Sequence, residues 1–136
     1  MKIDGQCHCG DIRFSAEIDP KDVFICHCTD CQHFSGAPYR ASVRASAETV
    51  VFEGEPKTYL KTAESGAKRA QGFCPNCGTS LFSSSPTNTT FYMLRLGAVN
   101  QKRDLKPTLQ SWRRSAQSWS ADLHDIASSD QQAYTV

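Results

Sequence analysis

Large apolar side chains are scarce in this chain of 136 residues. Leu, Ile, Val and Phe together fill 25 positions, about 18% of the sequence, which is low for a domain with an aliphatic core. A strong charge of either sign is also lacking, because 15 basic residues stand against 14 acidic ones. Disordered chains of low apolar content usually carry a high net charge and few aromatic residues, whereas this one has a net charge of +1 and 10% aromatic residues. We therefore expect one folded domain over residues 1–136, with a core over about 3–120, a mobile tail over 127–136, and a stabilising element besides aliphatic burial.

Other absences bear on the partners. No stretch of 18 consecutive apolar residues occurs, and the first residues, M-K-I-D-G-Q-C, contain no apolar signal segment. No basic run is longer than a pair such as Arg113 and Arg114, so neither nucleic acid nor a membrane surface is expected as a partner. These features favour a cytoplasmic protein, and in a reducing compartment short-spaced cysteines are more often metal ligands than disulfides.

Apolar and polar residues alternate with a period of two along much of the chain, which is the pattern of half-buried strands. The runs are 12–18, 23–25, 50–52, 59–62, 67–73, 80–83 and 91–96. Glycines and prolines separate these runs, as in antiparallel β proteins. A mainly β fold is therefore predicted.

Little helix is expected, and its predicted place is near the C-terminus. Trp119, Leu123 and Ile126 fall at i, i+4 and i+7, the spacing of one helix face. Trp112 and Trp119 are expected to pack in the core or at an interface rather than to line a substrate site.

Seven cysteines fall in three groups. Cys7 and Cys9 form C-H-C-G, Cys26, Cys28 and Cys31 form C-H-C-T-D-C-Q, and Cys74 and Cys77 form C-P-N-C-G-T. In the last group the proline and the glycine favour a tight turn that directs two thiolates at one zinc ion. A closed tetrahedral site needs two more ligands, which either the first pair or two of the middle three could supply.

The number of cysteines suggests a division. Four ligands close a structural zinc site, and three are the ligand number of a catalytic zinc that keeps one position open. Cys26, Cys28 and Cys31 are the natural trio, since they lie within six residues. One four-cysteine site with three ordinary thiols is the first alternative, and an iron–sulfur cluster is the second.

Three segments together resemble the motifs of the glutathione-dependent formaldehyde-activating enzyme (GFA) family, also called the CENP-V/GFA domain. They are G-Q-C-H-C-G at 5–10, C-H-C-T-D-C-Q at 26–32 and F-C-P-N-C-G-T at 73–79. The resemblance implies an Mss4-like (β-tent) fold that binds two zinc ions. It implies a structural zinc at Cys7, Cys9, Cys74 and Cys77, and a catalytic zinc at Cys26, Cys28 and Cys31.

The activity implied by the resemblance is a carbon–sulfur lyase or synthase reaction, in which formaldehyde and glutathione give S-hydroxymethylglutathione. The implied partner is thus a small-molecule thiol such as glutathione. A GFA-like enzyme with a different small substrate is one alternative. A non-catalytic zinc-binding module, whose second site would be empty or closed by a fourth protein ligand, is another.

Residues outside the cysteine groups are weaker candidates. His33, two residues after Cys31, could be a general base or hydrogen-bond to a ligand, whereas His27 is expected to point away from the metal. The arginines on predicted strands could bind the carboxylates of glutathione, with a solvated surface as the alternative. They are Arg40, Arg44, Arg69 and Arg95. An exposed strand edge would permit a homodimer.

Overall fold

The computed structural model describes residues 1–133, and most of its regular structure is β-strand. Within these residues there are nine strands and one α-helix, with short 3-10 segments between them. In chain order they are β1 (Lys2–Gln6), β2 (Arg13–Cys26), α1 (Thr29–Ser35), β3 (Arg40–Ser46), β4 (Val51–Glu53), β5 (Lys57–Thr62), β6 (Lys68–Phe73), β7 (Ser80–Ser84), β8 (Phe91–Arg95) and β9 (Leu109–Ser111). The predicted mainly β fold is confirmed, because every predicted run of alternation overlaps one of these strands. Residues 134–136 of the predicted tail lie outside the described residues.

The strands form one sheet in the order β1-β2-β3-β8-β7-β6-β5, and β4 and β9 pair with β2 outside this path. All pairings are antiparallel except that of β2 with β9. The long β2 changes register between Ile18 and Val23, so its first part pairs with β1 and β4 and its last residues pair with β3 and β9. At its end, Cys26 lies opposite Arg40 of β3 and Ser111 of β9. The sheet order therefore sets a cysteine group beside a basic residue.

Alternation of burial builds the core. Ile3 in β1 and Phe14 in β2 are buried, while their neighbours along each strand are exposed. The Phe14 ring packs against Phe52, which belongs to an aromatic cluster. The centroid of the Phe52 ring lies 5.2 Å from that of Phe82 and 5.6 Å from that of Tyr92. Such tilted and edge-to-face pairs stabilise a small core beyond the apolar area that they bury. Aromatic packing thus offsets part of the shortage of aliphatic residues.

Gly72 in β6 allows one of these rings to approach the sheet backbone. A Cβ atom at this position would lie 2.2 Å from Cε1 of Phe82 and 2.3 Å from its Cζ. Phe82 is itself buried in the neighbouring strand β7, so the ring has little room to move. Glycine is therefore required here by close packing and not by backbone conformation.

The prediction of a helix through Trp119, Leu123 and Ile126 is wrong. The chain forms only a 3-10 segment over Ser118–Ala121, and these three side chains are 54%, 55% and 58% exposed. The α-helix of the described residues is α1, at the second cysteine group. Across residues 1–133, no helix has both the length and the apolar character that crossing a membrane requires.

Candidate functional site

Four cysteines from two turns meet in one cluster, which we call the four-cysteine cluster. Cys7 and Cys9 follow β1, and Cys74 and Cys77 follow β6. Their Sγ atoms all lie within 4.8 Å of one another, although 65 residues separate Cys9 from Cys74. Cys7 and Cys74 are buried, whereas the other two are exposed. The structure thus brings together the two turns that the sequence analysis assigned to one site.

Each turn is closed by a backbone hydrogen bond to the carbonyl of its first cysteine. The amide of Gly10 donates to the carbonyl of Cys7 (3.1 Å), and the amide of Gly78 donates to the carbonyl of Cys74 (2.9 Å). The two glycines have φ of +84° and +75°, a region that other residues enter at a cost. In the first turn the amide of Ile12 also donates to the Cys7 sulfur (3.2 Å). Each turn therefore presents its sulfurs on one side of a tight loop.

Polar side chains join the two turns. The Asn76 amide donates to Asp11 (2.9 Å), and the Thr79 hydroxyl accepts from the His8 amide (3.0 Å). The same hydroxyl lies 3.1 Å from Cys77 Sγ. Together with the Thr79 backbone amide it lowers the pKa of Cys77 to about 5. Cys77 is therefore a thiolate at neutral pH, which is the form that binds a metal.

The other three cysteines form a second cluster, the three-cysteine cluster. Cys26 ends β2, Cys28 caps the N-terminus of α1, and Cys31 lies in its first turn. Their Sγ atoms also lie within 4.8 Å of one another, and the Cys31 amide donates to Cys28 Sγ (3.4 Å). In the described part of the chain, no histidine, aspartate or glutamate joins this group. The cluster therefore offers three ligands and no fourth.

Protons are unequally shared within the three-cysteine cluster. The adjacent Cys31 thiol lowers the pKa of Cys26 to about 4, with help from the Ser111 hydroxyl. Cys26 and then burial in turn raise the pKa of Cys31. At neutral pH the cluster thus holds a thiolate at Cys26 and a thiol at Cys31. A metal ion entering it would displace the proton of Cys31.

The sulfur positions fit zinc. With Zn–S bonds of about 2.3 Å at tetrahedral angles, neighbouring sulfurs lie about 3.8 Å apart. In the four-cysteine cluster, Cys7 and Cys9 sulfurs are 3.5 Å apart and Cys9 and Cys74 sulfurs are 3.7 Å apart. An all-thiolate donor set also favours zinc over magnesium or calcium, which prefer oxygen ligands. Each cluster could therefore hold a metal ion.

The three-cysteine cluster lies on the wall of a cavity of about 200 Å³, which we call the inner cavity. A second cavity of about 370 Å³, the outer cavity, is lined by Cys28, Trp112 and Asp30 among others. Both cavities are lined by Cys28, Lys61 and Ala63, so they meet at the cluster. Trp112 does not pack in the core, since it is 42% exposed and lines the outer cavity.

Basic side chains dominate the inner cavity. Arg40, Lys61, Arg69 and Arg95 line it, and none of its lining residues is an aspartate or a glutamate. Arg95 is buried, and its burial and then the nearby Arg40 lower its pKa to about 9, so it remains protonated at neutral pH. Lys61 is paired with Asp30. The fourth predicted arginine, Arg44, is exposed and lies over the Phe91 ring, with 4.3 Å between its Cζ and the ring centroid.

Two histidines lie within two residues of these cysteines in the sequence. His33 is exposed on α1, and its Nδ1 lies 2.8 Å from the Thr29 carbonyl, so Nε2 is the acceptor of the neutral ring. His27 is 3% exposed, and its Nε2 lies 2.9 Å from the Gln110 side chain. Both rings thus have protein partners that fix their orientation.

Three features of the site were missed by sequence reasoning. Gln71 and Ser42 are buried and line the inner cavity, but neither belongs to a sequence motif that would have singled it out. Helix α1 spans seven residues, Thr29–Ser35, which is too short for a helical period, although Gly36 with φ +61° marks its end. The cap at Cys28 and this glycine are the signals that could have indicated the helix.

Comparison with known proteins agrees with this geometry. A sequence profile of the family described as "Glutathione-dependent formaldehyde-activating enzyme" matches residues 2–115. A Halomonas elongata protein named "Putative glutathione-dependent formaldehyde-activating enzyme" is 30% identical over 91 residues, which cover 63% of this chain and 58% of that protein. An uncharacterized lyase of Schizosaccharomyces pombe is 32% identical over 82 residues, or 60% of this chain and 56% of the relative. This chain thus spans little more than half the length of either relative.

A Rhodobacter sphaeroides protein of known crystal structure has a similar fold. Its TM-score is 0.61 at 19% sequence identity, and the match covers 79% of this chain and 99% of that one. At this identity the likeness supports the fold alone. The family profile, in contrast, spans both cysteine clusters and most of the sheet. The chain therefore belongs to the glutathione-dependent formaldehyde-activating enzyme family.

Proposed function

We propose that this protein is a zinc-dependent carbon–sulfur lyase or synthase that acts on a thiol–aldehyde adduct such as S-hydroxymethylglutathione. In this proposal the four-cysteine cluster holds a structural zinc ion and the three-cysteine cluster holds a catalytic one. The observation that carries the proposal is the position of the three-cysteine cluster on a cavity wall, with no fourth ligand from the described residues. A site with this opening is typical of catalytic zinc, whereas structural zinc sites are closed.

The chemistry divides between the metal and the chain. Bound zinc supplies a positive charge and an open coordination position for a substrate sulfur. The Cys31 amide orients the Cys28 sulfur, and the end of β2 fixes Cys26. The inner cavity gives the substrate a recess beside the sulfurs, and its basic walls favour anions there. In the cleavage direction the hydroxyl proton leaves, the C–S bond breaks, and the bonding pair stays on sulfur as formaldehyde forms.

His33 is the proposed general base for that hydroxyl proton. Its Nδ1 is held by the Thr29 carbonyl, which leaves Nε2 free to accept. Asp30, which lies between two of the cysteines, is paired with Lys61 and shares the outer cavity with Cys28. Asp30 therefore positions Lys61, which lines both cavities, through this ion pair.

The non-catalytic module remains the competing function. It requires a second site that is empty or closed by the protein, and the opening of the three-cysteine cluster onto two cavities does not favour it. Binding without turnover would distinguish it from the enzyme.

The test is two-dimensional exchange NMR on a mixture of formaldehyde and glutathione, in which the adduct and the free thiol interconvert. Zinc-loaded protein is expected to accelerate this exchange, and Cys28→Ser is expected to abolish the acceleration while circular dichroism is unchanged. His33→Ala should slow exchange by about 100-fold or more if this residue is the base. Two zinc ions per chain without any acceleration would refute the reaction on this adduct, and would leave an enzyme with a different small substrate or the non-catalytic module.

A further inference from the structure

A buried guanidinium in the inner cavity forms no ion pair with an aspartate or a glutamate of residues 1–133. Arg95 is 5% exposed, and it donates through Nη1 to the Ser42 hydroxyl (2.8 Å) and through Nη2 to Gln71 Oε1 (3.1 Å). Its Nε is buried and has no hydrogen-bond partner. A guanidinium carries five N–H donors, and the bonds to Ser42 and Gln71 use two of them. A buried charge without a counter-ion is costly, so a residue of this kind usually has a ligand to bind.

Gln71 links this guanidinium to a second one. Its Oε1 accepts from Arg95 and also from Arg40 Nη1 (3.0 Å). Gln71 is 5% exposed, and its carboxamide carries no charge that could neutralise either partner. Two like charges thus converge on one neutral oxygen at the cavity wall. A glutamate, which has nearly the same shape, would have supplied the missing negative charge.

The cysteines do not fully compensate these charges. Three thiolates exceed the charge of one zinc ion by a single unit, whereas Arg40 and Arg95 carry two positive charges between them. Among the ion pairs formed by residues 1–133, Lys61 with Asp30 is the one that involves a residue lining the inner cavity. The cavity therefore retains positive charge beside the three-cysteine cluster.

We propose that Arg95, Arg40 and Gln71 form a binding site for a carboxylate of the substrate, so that anionic thiol–aldehyde adducts are preferred over neutral ones. A carboxylate matches the planar donor fork of a guanidinium and would supply the counter-ion that Arg95 lacks. The proposal rests on the proposed function only in placing the substrate sulfur at the three-cysteine cluster. The carboxylate could belong to the thiol or to the carbonyl compound, and the experiment separates these sources.

The experiment is isothermal titration calorimetry of the zinc-loaded protein with pairs of probes that differ in charge alone. In the first pair, 3-mercaptopropionate is compared with its methyl ester. In the second, glyoxylate is compared with methyl glyoxylate in the presence of the mercaptopropionate ester. A preference of about tenfold or more for the anionic member is expected in one pair, since hydrogen bonds between charged groups are worth that much. A preference in the first pair shows that the carboxylate belongs to the thiol, and a preference in the second pair shows that it belongs to the carbonyl compound.

Four variants, one of them a control, test the residues. Gln71→Glu places a carboxylate between the two arginines, so it should abolish the preference for the anionic probe and raise the melting temperature. Arg40→Gln should reduce the preference, and it keeps the fold measurable if Arg95→Gln does not fold. Arg44→Gln is the matched control, because this arginine lies on the same strand outside the cavity and should leave the preference unchanged.

The outcomes separate this inference from the proposed function. Equal affinity for both members of both pairs, no binding of any probe, or a preference that survives Gln71→Glu would overturn the carboxylate site. Selective binding of an anionic probe without any acceleration of adduct exchange would retain the site and reject the lyase function. Acceleration of exchange with no charge preference would retain the function and reject the site.

Discussion

Replacing Cys74 by serine is expected to unfold this protein. Cys74 is fully buried, belongs to the hydrophobic core, and lies where the turn after β6 meets the turn after β1. A structural zinc ion contributes an apparent ~10–16 kcal/mol to the folding of small domains. The total free energy of unfolding of a domain is about 5–15 kcal/mol, so losing this contribution leaves little or none. The thin aliphatic core described above has no reserve to replace it.

Circular dichroism and zinc analysis of two variants give the assay. Cys74→Ser should lose the β signal at 25 °C and its cooperative thermal transition. Cys28→Ser is the matched control, since Cys28 is partly exposed at a cavity and outside the hydrophobic core. It should keep the wild-type spectrum and contain one zinc ion fewer per chain. The reasoning would be refuted if Cys74→Ser melted like the wild type, or if both variants lost their structure equally.

Two further predictions concern packing and protons. Gly72→Ala should destabilise the protein by about 1–3 kcal/mol in urea titrations, because the new Cβ would overlap the Phe82 ring. Gly97→Ala is the control, since a Cβ there meets nothing within 4 Å, and an equal loss in both variants would contradict the packing argument. Zinc affinity of the three-cysteine cluster should rise with pH above neutrality, because Cys31 must lose a proton when zinc binds and its pKa is raised. Cys26, with a pKa of about 4, is already deprotonated at neutral pH. Calorimetry of zinc binding in buffers of different ionisation enthalpy should detect proton release at pH 7, and its absence would contradict this assignment.

The sequence predicted what depends on short spacing. The C-P-x-C-G turn at Cys74 is local, since a proline and a glycine with positive φ define it, and its partner Cys7 followed from the ligand count. Alternation identified the strands because each strand buries one face. The turn motif and the alternation pattern are each contained in a segment of about ten residues or fewer.

What the sequence could not predict depends on the order of strands. Arg95, Gln71 and Arg40 come from β8, β6 and β3, and alternation does not say which strands are neighbours. The cavity that they line, and the burial of Arg95, follow from that order.

The predicted C-terminal helix failed for a related reason. Three apolar residues at helical spacing stabilise a helix only when a core receives them, and short helices are marginal alone. Trp119, Leu123 and Ile126 have no such core in the structure. Conversely, α1 forms because its ends are capped at Cys28 and Gly36, without any apolar period.

The two cysteine clusters differ in how much chain must be synthesised before they can assemble. Cys26, Cys28 and Cys31 lie at the end of one strand and the start of one short helix, so their sulfurs can meet before β3 leaves the ribosome. The four-cysteine cluster must wait until β6 has emerged, and it closes a long loop at an entropic cost. A growing chain can therefore present the three-cysteine cluster to a metal ion before the four-cysteine cluster exists.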